Sequence, residues 1–158
     1  MAVTNQKSIQ VNNMDQNPPV IEETTDISGK VRIIYFEHTQ VGAGDAGSSI
    51  EVGRLPRGEV RILGSISSVK HNWTTASQTM DVGWDSYTDF EGNAVTADPN
   101  GLDDAISVDT AGTITVCTEL NNGTKIFRSA DGVSIRLTGG AALVAGDTVA
   151  GYIMYVLG

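Results

Sequence analysis

From residue 31 onward, apolar and polar residues alternate with a period of two, which is the pattern of strands that bury one face. In residues 79–85, for example, Met80, Val82 and Trp84 alternate with polar or small residues. The segments with this alternation, or with a run of β-branched and aromatic residues, are 31–38, 49–52, 59–67, 79–85, 113–120, 125–128, 133–138 and 148–157. The sequence therefore predicts about eight strands, and one short helical turn at 102–106.

Turn residues separate these segments from one another. Asn122-Gly123 precedes segment 125–128, Asp131-Gly132 precedes segment 133–138, and Gly146-Asp147 precedes the last strand. Asn-Gly and Asp-Gly supply the positive φ angles of tight hairpin turns. Short strands joined in this way, with longer loops in the first half of the chain, are typical of a two-sheet sandwich. The predicted fold is all-β: an antiparallel β-sandwich, jelly-roll-like, of about eight strands.

Residues 1–28 differ in composition from the rest of the chain. They are rich in Asn, Gln, Asp and Thr, contain Pro18 and Pro19, and have no sustained periodicity. Such a segment has too little apolar surface to offset the entropy of ordering. Two interpretations stay open: a disordered tail, or an extended N-terminal arm that orders only against a neighbouring subunit, with Val20 and Ile21 as anchors. We therefore expect an arm at 1–28 and a β-sandwich domain at 29–158.

Two strands, 31–38 and 148–157, are apolar on both faces. In an antiparallel sandwich one face of each strand normally meets solvent. A second apolar face needs a cover, either a loop of the same chain or another subunit. Because exposed apolar patches usually mark interfaces, we expect a homo-oligomer. The interface residues predicted on these two strands are Ile34, Phe36, Tyr152, Met154 and Val156.

Charge and hydropathy narrow the choice of partners. The formal net charge is −9, and residues 81–109 hold acidic residues but no Lys or Arg. A nucleic-acid-binding protein needs a basic face that neutralises phosphates. No apolar run approaches the roughly 20 residues that span a bilayer, and the N-terminal sequence lacks the features of a signal peptide. We therefore expect a soluble protein, made in the cytoplasm, with neither nucleic acid nor membrane as a partner.

The motifs of catalysis and of cofactor binding are incomplete in this sequence. Residues 42–47, GAGDAG, match the glycine pattern of dinucleotide sites, but no helix-forming segment follows them as such a site requires. Cys117 lacks a recognisable base and is interpreted as a small filler or interface residue. His38 and His71 have no partner at metal-ligand spacing. We expect no enzyme activity, no catalytic residues, no metal ligands and no cofactor.

A second hypothesis is a binding module for glycans, lectin-like or associated with a phage tail. Trp73 lies in the loop-like sequence HNWTT and is the aromatic residue expected to be exposed, whereas Trp84 is expected in the core. The acidic stretch near 98–104 has the carboxylates that Ca²⁺ prefers. Its spacing fits no EF-hand loop, so a solvated acidic surface is the preferred interpretation.

Four motifs follow one another within residues 31–157: VGAGDAGSSIEVGRLPRGEVRIL, MDVGWDSYTDFEGNAVTADPNGLDDAISV, NGTKIFRSADGVSI and GYIMYV. Their order resembles that of a family of head decoration, or cement, proteins of tailed bacteriophages. The arm has no counterpart in the resemblance. The resemblance implies a β-sandwich that assembles as a homotrimer on the capsid surface of the virion. There it would bind the major capsid protein and reinforce the shell, with no catalytic residues.

Overall fold

A computed structural model describes residues 15–20, 29–73, 75–120 and 122–158. Its regular structure consists of strands and one short 3-10 helix, η1, at Gly64–Ile66. The strands of the described chain are β1 Arg32–Thr39, β2 Ser49–Leu55, β3 Gly58–Leu63, β4 Ser68–His71, β5 Thr79–Trp84, β6 Tyr87–Thr88, β7 Ala94–Val95, β8 Asp98–Ser107, β9 Gly112–Thr115, β10 Thr124–Ser129, β11 Val133–Gly139 and β12 Thr148–Leu157. Most of the predicted N-terminal arm lies outside the described residues.

The strands form two antiparallel sheets. In sheet I, β12 pairs with β1 along one edge and with β4 and β3, end to end, along the other. β9 continues this sheet beside β4, and β10 continues it beside β3. Sheet II has the order β2-β11-β5-β8, and β6 and β7 form a small separate hairpin.

The connectivity of the two sheets is that of a jelly roll. If β3 with β4, and β9 with β10, each count as one position, the two sheets contain eight strand positions. In chain order, sheet I then runs first, eighth, third, sixth, and sheet II runs second, seventh, fourth, fifth. Eight antiparallel strands wound into two such sheets are the jelly-roll arrangement. The predicted all-β sandwich is confirmed.

Alternating side chains fill the space between the sheets. In β12, Val149 and Ile153 point inward and are 1% and 0% exposed, while Tyr152 between them points outward. In β11 the inward residues are Val133, Ile135 and Leu137. Burying one such aliphatic side chain stabilises a fold by roughly 1.5–3 kcal/mol. The period of two in the sequence therefore arises because every second side chain of these strands is buried in the core.

Three local predictions are wrong. The segment 102–106 is not a helical turn but part of β8, where pairing with β5 holds it extended. The strand predicted at 113–120 ends at Thr115, because the carboxylate of Asp103 accepts hydrogen bonds from the backbone N–H groups of Cys117 and Thr118, both at 2.6 Å. The turns predicted to be hairpins at 122–123 and 131–132 join strands that do not pair with each other.

A break separates β3 from β4, and Ser67 closes it. The side chain of Ser67 is fully buried, and its Oγ accepts a hydrogen bond from the backbone N–H of Met154 at 2.8 Å. The same hydroxyl donates to the carbonyl oxygen of Leu63 at 2.9 Å. The carbonyl oxygen of Ser67 also accepts from the N–H of Val116 at 3.1 Å. The Ser67 hydroxyl thus supplies a hydrogen-bond acceptor for a backbone N–H of β12 at the point where the strand ladder is interrupted.

His71 is a buried ionisable residue at the end of β4. It is 4% exposed, its neighbours in the ladders are Val149 and Gly112, and its ring centroid lies 6.3 Å from that of Trp73. Burial lowers the pKa of His71 below its ordinary value of 6.5, without a contribution from a neighbouring charge. The folded state therefore favours the neutral imidazole.

We predict that Ser67→Ala lowers the free energy of unfolding by about 1–3 kcal/mol, because the N–H of Met154 loses its buried acceptor. Urea denaturation followed by circular dichroism measures the change. Ser65→Ala, at an exposed position of η1, is the matched control and should be nearly neutral. Equal stability of the two variants would contradict the role given to Ser67.

We also predict that stability falls as the pH is lowered below about 6.5, because the unfolded state then binds a proton that the buried His71 resists. A pH series of thermal melts of the wild type and of His71→Gln isolates this contribution, which the variant should lack. His38→Gln removes the other histidine of the sequence and is the control against which the slope of His71→Gln is compared. An unchanged slope in His71→Gln would refute the assignment.

Candidate interaction surface

The register between β1 and β12 determines which of the predicted interface residues face outward. Tyr35 lies opposite Tyr152, and Ile33 lies opposite Met154. Residues that are directly opposite in a ladder share a face, and this face points away from the core. Ile33 and Tyr35 are each 55% exposed and Tyr152 is 44% exposed. We call Ile33, Tyr35, Tyr152 and Met154 the outer stripe.

Two of the predicted interface residues face the other way. Ile34 lies opposite Ile153, and Phe36 lies opposite Gly151, on the core side of sheet I. Phe36 is 7% exposed, and Ile34 packs against the core cluster. Since both faces of β1 are apolar, the sequence pattern could not distinguish them. The exposed apolar residues of β1 are Ile33 and Tyr35, each one position before a residue that was predicted.

Val156, the fifth predicted residue, lies on the outer side of β12 but is only 3% exposed. Its cover is the backbone just before β1: a Cβ built on Gly29 would lie 2.9 Å from the Cβ of Val156. The strand is therefore covered by its own chain at this end. Further along the same face, at Met154 and Tyr152, the outer stripe begins.

The two tyrosines of the outer stripe contact each other, and one of them is hydrogen-bonded to a carboxylate. Their ring centroids are 5.3 Å apart, in a tilted arrangement. The hydroxyl of Tyr35 donates a hydrogen bond to the Glu37 carboxylate at 2.8 Å, and this bond raises the pKa of Tyr35 above 10.0. Tyrosine side chains have few rotatable bonds and lose little entropy on binding, so this pair is well suited to protein contacts.

The outer face of sheet II has a different character. Arg54 and Ser134 both donate hydrogen bonds to one oxygen of Glu51, each at 2.9 Å, and the pKa of Glu51 is lowered first by Ser134 and then by Arg54. Arg136 donates from its Nε to Asp85 at 2.6 Å. These polar groups are already paired with one another. The apolar contact surface of the sandwich therefore lies on sheet I.

Trp73, the aromatic residue predicted to bind glycans, is not on the surface. Trp73 was expected to be exposed but is 1% exposed, because it packs into the core beside His71. Trp84 lies in the core as predicted, with its ring 5.2 Å from that of Phe127 and the ammonium of Lys125 4.7 Å above it. The polar sequence around Trp73 gave no sign of this burial.

Several carboxylates of the acidic stretch have partners within the fold. Asp81 accepts a hydrogen bond from the N–H of Ala105 at 2.8 Å, and Asp103 is fully buried where it binds the loop after β9. The predicted acidic loop near 98–104 is in fact strand β8. Among the residues that the structure describes, no three His, Cys, Asp or Glu side chains lie close enough together to hold a metal ion.

The remaining candidates have structural positions. The glycine segment at 42–47 joins β1 to β2 and is followed by a strand. Cys117 is 1% exposed and packs against Gly64, which identifies it as a filler, and burial followed by the charge of Asp103 raises the pKa of Cys117 to about 12. In the described part of the chain, no helix is long and apolar enough to cross a membrane.

This protein is similar to known proteins in structure rather than in sequence. No protein-family model and no curated protein matches the sequence. A chain in the capsid of Ralstonia phage GP4 is similar with a TM-score of 0.60 and 22% identity, over 87% of this chain and 91% of that chain. A chain in the cyanophage Pam1 capsid asymmetric unit is similar with a TM-score of 0.56 and 20% identity, over 84% and 88%.

A third similarity is to a much longer chain. The VP2 subviral particle of infectious bursal disease virus gives a TM-score of 0.52 at 7% identity, and the match spans 33% of the VP2 chain. At such identities each similarity establishes a shared fold. The jelly-roll sandwich of this protein is thus also found, over nearly the whole chain, in two phage capsid structures.

Proposed function

We propose that this chain is a structural protein of a phage virion, a decoration or cement protein that binds the outer surface of the head and stabilises the shell. The observation that carries the proposal is the nearly complete two-way match with chains of two phage capsids. Those chains are about the size of this one, so the match covers a whole jelly roll rather than a module of a longer protein. The sequence resemblance to decoration proteins supports the same role.

The character of the two outer faces supports a role in binding to other proteins. Sheet I presents the outer stripe, and sheet II presents paired polar groups. A net charge of −9 suits a virion exterior, because it disfavours contact with free nucleic acid. On this proposal the partners are the major capsid protein and further copies of the chain, assembled as a homotrimer.

A trimer would bind the shell through several equivalent contacts. Linked contacts raise the overall affinity far above that of each one, because later contacts form at a high effective concentration. An arm that orders on binding adds contact area at an entropic cost. Weak individual contacts are therefore compatible with firm retention on a particle.

The glycan-binding alternative has lost its main support. It depended on an exposed Trp73 and on an acidic loop, and these are a buried side chain and a paired strand. No observation on the described residues favours an enzyme over a structural protein.

We predict that the purified protein binds saturably to mature, expanded shells that lack it. Co-sedimentation gives the stoichiometry, and electron microscopy of the particles locates the added density on the outside. Decorated shells should also resist heat or chelator treatment better than bare shells. If the protein fails to bind such shells while circular dichroism shows it to be folded, the proposal is wrong.

We further predict that removing residues 1–28 leaves the sandwich folded but weakens retention on shells. The fold should persist because the core cluster lies within the domain that begins after the arm. Thermal melts test the first part, and a washing series of decorated shells tests the second. Equal retention of the truncated and full-length proteins would exclude the arm as a tether.

A further inference from the structure

The chain enters the sandwich from the face that holds the outer stripe. The β1–β12 register, with Arg32 opposite Tyr155, places residue 31 beside Val156 in the plane of the sheet. Two residues earlier, Gly29 lies against the side chain of Val156 on its outer side. The backbone has therefore left the plane of the sheet. Gly29 therefore lies on the outer face of sheet I, at the end of β12 that leads to the outer stripe.

Two of the exposed apolar surfaces of the described chain could cover each other. The outer stripe is one, with Ile33, Tyr35 and Tyr152 about half exposed. Val20 is the other: it is 46% exposed, and all of residues 15–20 are exposed. Ile21 follows it in sequence. Burial of both surfaces against each other would remove apolar area from water, which is favourable.

The surroundings of the stripe fit this segment in shape and charge. An open hollow of about 300 Å³ lies beside the two tyrosines and is also lined by Lys70. In the arm, Glu22 and Glu23 directly follow the apolar pair Val20 and Ile21. If Val20 and Ile21 occupied the hollow, the carboxylates that follow them in sequence would come close to the Lys70 ammonium.

We propose that the outer stripe of one copy of this chain receives the arm of a second copy at Val20 and Ile21. The inference rests on the proposed function, in which the chain is an oligomer. A second copy is favoured over the same copy because Val20 and the stripe both remain uncovered in the single chain. Eight residues lie between Val20 and Gly29, and an extended chain over this stretch can span about 30 Å, roughly the diameter of a small domain. That length reaches a neighbouring subunit.

Arm exchange of this kind joins unlike surfaces of two copies. Each copy gives one arm and receives one, so the contact is head-to-tail. Such contacts form a closed ring when the rotation between copies closes, and an open filament when it does not. Arm exchange would therefore be the contact that holds a closed trimer together.

The test uses two variants that each gain one exposed cysteine, Val20→Cys and Tyr152→Cys, and that carry tags of different size. They are mixed and treated with a short bis-maleimide, so a mixed product can only join two chains. The native Cys117 is buried, with its pKa raised to about 12, and stays unreactive. The control pairs Val20→Cys with Val144→Cys, which is 53% exposed and lies outside the stripe.

We expect the mixed product of the Val20 and Tyr152 variants to exceed the control product by roughly tenfold, since bound arms raise the effective concentration of the two thiols. Native mass spectrometry should show closed oligomers of the full-length protein and monomers once residues 1–28 are removed. Equal yields in both mixtures would overturn the inference. Cross-links confined within single chains of a Val20→Cys/Tyr152→Cys double variant would also overturn it, as would oligomers that persist without the arm.

The shell-binding experiment separates this inference from the proposed function. Protein that binds shells but shows no arm exchange leaves the decoration role standing and removes only the exchange. Protein that exchanges arms but never binds shells supports the exchange and removes the decoration role.

Discussion

The pairing of β12 along both of its edges is the constraint on which the rest of the structure depends. It holds β1 in one register and the interrupted strand β3–β4 in another, with Ser67 joining the two halves. Because side chains alternate along a strand, a slip of one residue would exchange every inward side chain for an outward one. Ile153 would then face solvent and Tyr152 the core. The core, the outer stripe and the entry of the arm all follow from this register.

A second set of contacts joins the sheets. Asp103 of β8, in sheet II, accepts hydrogen bonds from the backbone of Cys117 and Thr118, which follow β9 of sheet I. A buried carboxylate is costly unless its oxygens are bonded, and here three donors, including the Thr118 hydroxyl, satisfy it. Cys117 adopts a positive φ of 63° at this point and packs against Gly64. Residues far apart in sequence thus determine where a strand ends.

The sequence predicted the alternating strands and the fold class well, because burial of one face leaves a period of two at β5, β11 and β12. It could not resolve β1, where both faces are apolar and only the register with β12 separates Ile34 from Ile33. It also missed the burial of Trp73, which depends on packing between sheets rather than on local polarity. Strand β8 was not predicted because Asp103 and Asp104 interrupt the apolar alternation. Asp103 is buried in the strand only because it accepts hydrogen bonds from a loop that is distant in sequence.

The unlike outer faces of the sandwich have a consequence for the direction in which the molecule associates. On sheet I the stripe offers apolar area that gains from being covered, whereas the ion pairs and hydrogen bonds on sheet II are already complete. Covering apolar area is favourable, so a contact that covers the outer stripe is favoured over one that covers sheet II. The carboxylates of sheet II would have to exchange existing partners for new ones in such a contact, so this face disfavours stacking of one copy on another.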